Sequence, residues 1–462
     1  MAGSLKHFRD PELSLWQSAV DQVVAKRKDS RGARSTLGSR TGATSNGRPD
    51  LSDSMIRDTA MVCEAVEKGD FLTTGATTDR KTLGIRDVGR FCAMTAFRLA
   101  KARVRAYFNG DDEDLKRYLR GLERKFGPCD ARGWATCVEE FLRYCIRMEP
   151  IPYRTHGAER DFVVDGRLPD NATIALIADW GTGQEAATKL LKQIKMKNPD
   201  AVIHLGDIYY SGTEREAQEY FYATWQDVLG LPKVSWGEKL TELAVKPATF
   251  TLSGNHDMYA GGKAYYALID MLGQPSSYFC LRNDHWQFVA LDTGLKDANP
   301  VFHKGTSLQE TEVTWLKERV AQANGRKTLL LSHHPLFSAY EKIAGHAINR
   351  DLYAQVKDVL PQVTAWFWGH EHDLIIYKRF PAASNVLGRC LGHGAIPVDV
   401  SERISRKAAV PVEDIKLATT RTGNLFQNGY VLLHLRESTA EVTYYQYDVE
   451  ADTESVLYTE TL

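Results

Sequence analysis

From about residue 171 the chain alternates between two textures. Short runs rich in β-branched and aromatic residues, "TIALIA", "AVIHL", "ATFTLS", "FVALD", "TLLLS" and "VTAWFW", are separated by longer stretches with apolar residues at helical spacing, "EAATKLLKQIK", "REAQEYFYATWQDVL" and "SLQETEVTWLKERVAQ". Runs that are apolar throughout predict strands covered on both faces. Strand alternating with helix predicts an α/β domain on a partly parallel sheet. The last two runs, "YVLLHL" and "AEVTYYQYDV", have no helix between them and predict antiparallel strands that close it.

The chain before this point has a different period. "LSLWQSAVDQVVAKR", "LSDSMIRDTAMVCEAVEKGD", "IRDVGRFCAMTAFRLAKARVRAYF", "DEDLKRYLRGLERKFG" and "WATCVEEFLRYCIRM" all place apolar residues on one helical face. Ser52 and Asp53 are candidate caps. We therefore expect an all-α N-terminal region over residues 1–165 and a second domain over 170–462. A Gly/Ser/Arg-rich stretch near residues 30–50 reads as a mobile loop between the first two helices. There is no internal repeat.

Composition narrows the partners. With 462 residues, two domains are the natural expectation. A formal net charge of -1 gives no global attraction to nucleic acid or an anionic membrane. No apolar stretch approaches the roughly 20 residues that cross a bilayer. The seven cysteines are widely spaced and form no CxxC pair, as expected of reduced thiols. The N-terminus lacks a hydrophobic signal core. Together these predict a cytoplasmic protein whose partner is a small molecule; oligomeric state is left open.

The chemistry sits where predicted strands end, the usual ligand position in open α/β sheets. Asp179-Trp180-Gly181 follows "TIALIA". Gly206-Asp207-Ile208-Tyr209-Tyr210 follows "AVIHL". Gly254-Asn255-His256-Asp257 follows "ATFTLS", His333-His334-Pro335 follows "TLLLS", and Gly369-His370-Glu371-His372-Asp373 follows "VTAWFW". Each exit delivers a carboxylate, amide, phenol or imidazole. Such donors suit iron, zinc or manganese, and no thiolate pulls toward softer metals. A carboxylate can span two ions roughly 3.5–4 Å apart, and such a pair activates a shared water for attack on phosphorus.

The set resembles the calcineurin-like metallophosphoesterase superfamily and, within it, the purple acid phosphatases. The family's usual first-metal histidine is replaced by Gly181, and that branch uses instead a tyrosine three residues after the bridging aspartate, here Tyr210. The resemblance covers residues 171 to 450 or so. It implies a two-sheet sandwich flanked by helices (αββα). It assigns Asp179, Tyr210 and His372 to the first metal, Asn255, His333 and His370 to the second, and Asp207 to both. It places His256 on the phosphate or the leaving oxygen. The implied cofactors are two divalent or trivalent ions, iron with zinc, manganese or a second iron. The implied reaction is hydrolysis of a phosphate ester, most simply a monoester, by a hydroxide bridging the metals. A phosphodiesterase or nuclease with the same core, or a catalytically weak binding module, is the alternative. The family's further histidine after "HxP" is replaced by Lys342; His346 is the candidate to stand in for it.

Other residues take plainer readings. His204 reads as a satisfied core histidine, His334 as a neighbour of the site, His393 as a loop histidine, and Asp257 and Asp373 as supports for ligands. Gly369 is expected to permit the turn that delivers His370 and His372. "IALIADWGTGQEAATKLL" also imitates a dinucleotide fingerprint, but that reading leaves "GNHD", "HHP" and "GHEHD" without a task.

Overall fold

Strand β2 (Thr173–Ile177) shows why its sequence is apolar throughout. Ile174 and Leu176, with Ala178 just beyond, pack into one core, while Ala175 and Ile177 pack into another on the opposite face. Side chains alternate across a strand, so a strand between two hydrophobic layers needs both sets. The computed structural model describes residues 150–158, 160–209, 212–243, 246–297, 306–340, 342–398, 400, 406 and 408–462. The helices and loop expected within residues 1–149 lie outside the described residues.

In chain order the strands are β1 (Val163–Val164), β2, β3 (Ala201–His204), β4 (Ala248–Thr251), β5 (Phe279–Arg282), β6 (Trp286–Ala290), β7 (Lys327–Leu331), β8 (Val363–Trp368), β9 (Leu374–Ile376), β10 (Gly388–Leu391), β11 (Asn428–Arg436), β12 (Thr439–Asp448) and β13 (Thr453–Thr461). They form two sheets, ordered β13-β12-β11-β2-β3-β4 and β1-β5-β6-β7-β8-β10-β9. β2, β3 and β4 run parallel, as do β6, β7, β8 and β10. β11 to β13 are antiparallel, as the two helix-free C-terminal runs predict. β1 pairs with β5, so the first sheet contact of the described chain precedes residue 170.

Helices cover the outer faces. Helix α1 (Glu185–Met196) buries Ala187, Leu190, Leu191 and Ile194, a spacing of three and four that makes one stripe. These residues join Val202, Leu432 and Trp225 over the six-stranded sheet. On the other side, Trp315 and Leu316 of α3 (Glu310–Ala321) and Leu352 and Val356 of α4 (Arg350–Val356) are buried in the same large hydrophobic cluster as the strands of the seven-stranded sheet. The expected αββα sandwich is present. The run read as one helix, "REAQEYFYATWQDVL", is a π-helix over Glu216–Tyr222 that continues as α2 (Ala223–Leu229). The junction stacks Phe221 on Trp225, ring centroids 4.5 Å apart, above the Trp180 ring.

One ion pair joins the two sheets. Arg389 on β10 meets Glu460 on β13 through Nε–Oε1 at 2.6 Å and Nη2–Oε2 at 2.5 Å, and its Nη1 donates to the Tyr377 and Gly388 carbonyls. Tyr444 Oη donates to the same Glu460 carboxylate. The two side chains are only 4% and 12% exposed. A buried guanidinium stripped of its carboxylate keeps the desolvation cost and loses the compensation. Glu460→Ala is therefore expected to destabilise the domain by about 3–5 kcal/mol in a denaturant titration; a change under about 1 kcal/mol would show the clasp to be dispensable.

Candidate metal centre

Three non-glycine residues at the strand exits adopt left-handed backbone: Asp179 (φ 52), Asp207 (φ 77) and His370 (φ 71). Such conformations are costly for residues with a Cβ and gather at functional sites. The glycines beside them serve close approach. A Cβ on Gly254 would lie 2.0 Å from Asp207 Oδ1, and one on Gly369 would lie 2.6 Å from Asp179 Oδ2. Gly369 thus makes room, and His370 itself takes the left-handed turn that sequence reasoning gave to the glycine.

The side chains delivered there form two groups. In the first, the Tyr209 hydroxyl donates to Asp179 Oδ1 (2.7 Å) and lies 3.0 Å from His372 Nε2, which is 3.4 Å from the same carboxylate oxygen. In the second, Asn255 Oδ1, His333 Nε2 and His370 Nδ1 lie 3.1–3.3 Å from one another. Asp207 touches the second group through Oδ2, 3.2 Å from His333 Nε2, and clusters with Asp179 and His372 of the first. Of the expected ligands, Asp179, Asp207, Asn255, His333, His370 and His372 come together. Tyr210 lies outside the described residues; among the described residues, the phenol at the site is that of Tyr209.

Supporting contacts aim these donors. His333 Nδ1 faces the Leu205 carbonyl (2.9 Å), which leaves Nε2 for the site. Asn255 Nδ2 donates to Tyr259 Oη (2.7 Å), turning Oδ1 inward. Asp257 accepts from the backbone of Asp207, Ile208 and Gly254, holding two strand exits together. Burial, and then the nearby Asp207, push its carboxyl up to about 8. Glu371, between the two histidines, points away and accepts from Ser338, Trp368 and Tyr377. His370 and His372 are thereby left facing the site from one anchored turn.

The donor set fits cations. Burial alone would raise the Asp207 carboxyl, but His333, His256 and His370 hold it well below the usual carboxylate range. Burial would lower His333, yet Asp207 and Asp179 bring it to about 9. The protein interior here is short of positive charge. Carboxylate oxygens, an amide oxygen and imidazole nitrogens converging at hydrogen-bond distance form a donor set that suits a metal.

The remaining candidates are placed as follows. His256 Nε2 is 3.9 Å from Asp207 Oδ2, with its ring between those of Tyr209 and Tyr259. His346 is half-buried and closes a tight turn with Ile343. Lys342 is exposed. His334, read as a neighbour, groups with His333 and His370. Gly183 of the imitation dinucleotide loop is filled rather than open: its Cβ would lie 2.4 Å from the Tyr220 ring.

A family model for calcineurin-like phosphoesterase matches residues 172–374. Tartrate-resistant acid phosphatase type 5 of Homo sapiens is 27% identical over 329 residues, covering 63% of this chain and 92% of that protein. The Mus musculus protein of the same name is 25% identical, covering 56% and 80%. A dimetal phosphatase from Danio rerio aligns with a TM-score of 0.38 at 15% identity, over 62% of this chain and 98% of that one.

Two histidines near the site make the fold acid-sensitive. His204, with Nδ1 2.9 Å from Thr251 Oγ1 and no partner for Nε2 among the described residues, is lowered by burial to about 3. His393 lies on the loop after β10, as expected, but is buried there, contacts the Tyr445 carbonyl, and is lowered by burial to about 4. Their ordinary value is 6.5. Both are neutral in the fold and take up protons on unfolding, so their stabilisation is full above 6.5 and drains away as pH falls toward those lower values. The unfolding midpoint of the metal-free chain is expected to drop over that window, and less steeply in His204→Asn; equal slopes would contradict this.

Proposed function

We propose that this chain, which belongs to the calcineurin-like phosphoesterases and within them to the purple acid phosphatase branch, hydrolyses phosphate monoesters at a pair of metal ions. Metal-dependent phosphoester hydrolysis follows from that membership. The observation that carries the paired-ion reading is the position of Asp207, a buried carboxylate shared by the two donor groups. Asp179, Tyr209 and His372 would hold the first ion, and Asn255, His333 and His370 the second. The phenol points to iron in the first position, with iron, zinc or manganese in the second. The similarity to acid phosphatases supports the monoester choice over a diester.

When bound, the ions would supply a water of lowered pKa and neutralise charge on the phosphoryl oxygens. The chain's own residues do the rest. Asp207 keeps its charge because three imidazoles face it. Tyr209 holds the Asp179 carboxylate by its hydroxyl, and its ring lies 4.6 Å from that of His256. We assign to His256, 3.9 Å from Asp207 Oδ2, the role of contacting the phosphate or giving a proton to the departing oxygen. Burial and then Asp179 hold the Tyr209 phenol far above its ordinary value, so its proton leaves only in exchange for a cation.

Asp207→Asn is expected to lower aryl phosphate turnover by a factor on the order of 10³ with the far-ultraviolet circular dichroism unchanged; full activity would remove the shared carboxylate from the mechanism. In iron-loaded protein, Tyr209→Phe is expected to abolish the phenolate-to-iron absorption band while Tyr210→Phe keeps it. The reverse pattern would return the role to Tyr210. Comparable rates on aryl diesters and monoesters would count against the substrate class.

A further inference from the structure

His334 stands out because the motif around it has no use for it. It is 1% exposed. Its backbone N–H donates to Thr293 Oγ1 (3.0 Å), its Nδ1 is 3.0 Å from the same hydroxyl, and its Nε2 is 3.1 Å from Asp297 Oδ2. Asp297 is itself only 3% exposed. Both ring nitrogens are thus occupied by groups from the exit of β6. The ring packs against two imidazoles of the site: the His370 centroid is 4.6 Å away at 43°, and that of His333 is 4.9 Å away, nearly perpendicular.

We infer that the wedge of Asp297, His334 and Thr293 is a positioning device for the second donor group, setting the ring orientations of His333 and His370 without giving a ligand. The inference rests on the paired-ion reading. An imidazole rotates about two bonds, and His370 springs from a left-handed backbone that does not by itself fix its ring. Holding such a ring still before the ion arrives removes an ordering cost from binding. Groups that orient a ligating histidine commonly govern metal affinity by about 10–100-fold. Here the orienting contact is ring packing, tilted on His370 and edge-on to His333, from a third imidazole locked from behind by a carboxylate and a hydroxyl. The first group is oriented differently, through Tyr209 and the His370 backbone N–H on Asp179. The effect is therefore selective for the second ion.

The test uses the full chain, stripped by chelator and titrated with Mn(II). Bound ions are counted by equilibrium dialysis, and adjacent pairs are detected by the spin-coupled electron paramagnetic resonance signal. His334→Ala is expected to keep one ion at wild-type affinity and weaken the other by about 10–100-fold, losing the coupled signal at a manganese level that saturates the wild type. Asp297→Asn, which keeps the volume, shifts the same ion in the same direction by less. It carries the test if a thermal melt shows His334→Ala unfolded. Two ions at wild-type affinity in the folded variants overturn the inference alone, as does equal weakening of both ions. A wild type that binds a single ion overturns the paired-ion reading and this inference with it.

Discussion

The structure depends on keeping a fully buried carboxylate charged. Asp207 is 1% exposed, and burying an ionised acid without compensation is among the most expensive things a fold can do. Three imidazoles compensate it as the chain stands, and His333 holds its own proton up to about 9 in doing so. Protons are a poor substitute here, because the same ring nitrogens are the atoms aimed at the centre. Cations would satisfy the carboxylates and free the imidazole lone pairs together. Metal binding is on this view the completion of the site's electrostatics.

That arrangement is held under strain, and the sandwich carries the cost. Asp179, Asp207 and His370 each occupy a backbone region that costs on the order of 1–3 kcal/mol. What holds them is the pair of cores on either face of β2, with residues there wholly buried, and the Asp257 carboxylate that ties three backbone N–H groups. Glycines at 254 and 369 supply clearance. The parallel strands β2, β3 and β4 of one sheet and β7 and β8 of the other end at the same edge, which is why residues from Asp179 to His372 meet.

Much of this was legible in the sequence because the relevant signals are local. An apolar run followed by glycine and a metal-binding residue marks a strand exit without knowledge of the fold, and the donors at 179, 207, 255, 333, 370 and 372 were found that way. Tyr209 was missed because its approach to Asp179 and His372 depends on the left-handed turn at Asp207, which strand alternation does not anticipate. His334 was undervalued because its meaning comes from Thr293 and Asp297, some forty residues away in sequence. The burial of His393 likewise depends on Tyr445 of a distant strand. The switch from π to α winding within 215–229 leaves the apolar spacing nearly unchanged, so periodicity cannot reveal it. His346 carries no such signal; its turn is set by Ala344 and Gly345, both at positive φ.

The central claim is that two ions flank Asp207. Anomalous diffraction from crystals of the metal-loaded chain, collected on both sides of the iron, zinc and manganese edges, tests it most directly. The account predicts two peaks, one within bonding distance of Asp179, Tyr209 and His372, the other of Asn255, His333 and His370, with Asp207 between them. A single peak, or peaks that leave Asp207 unbound, would contradict it.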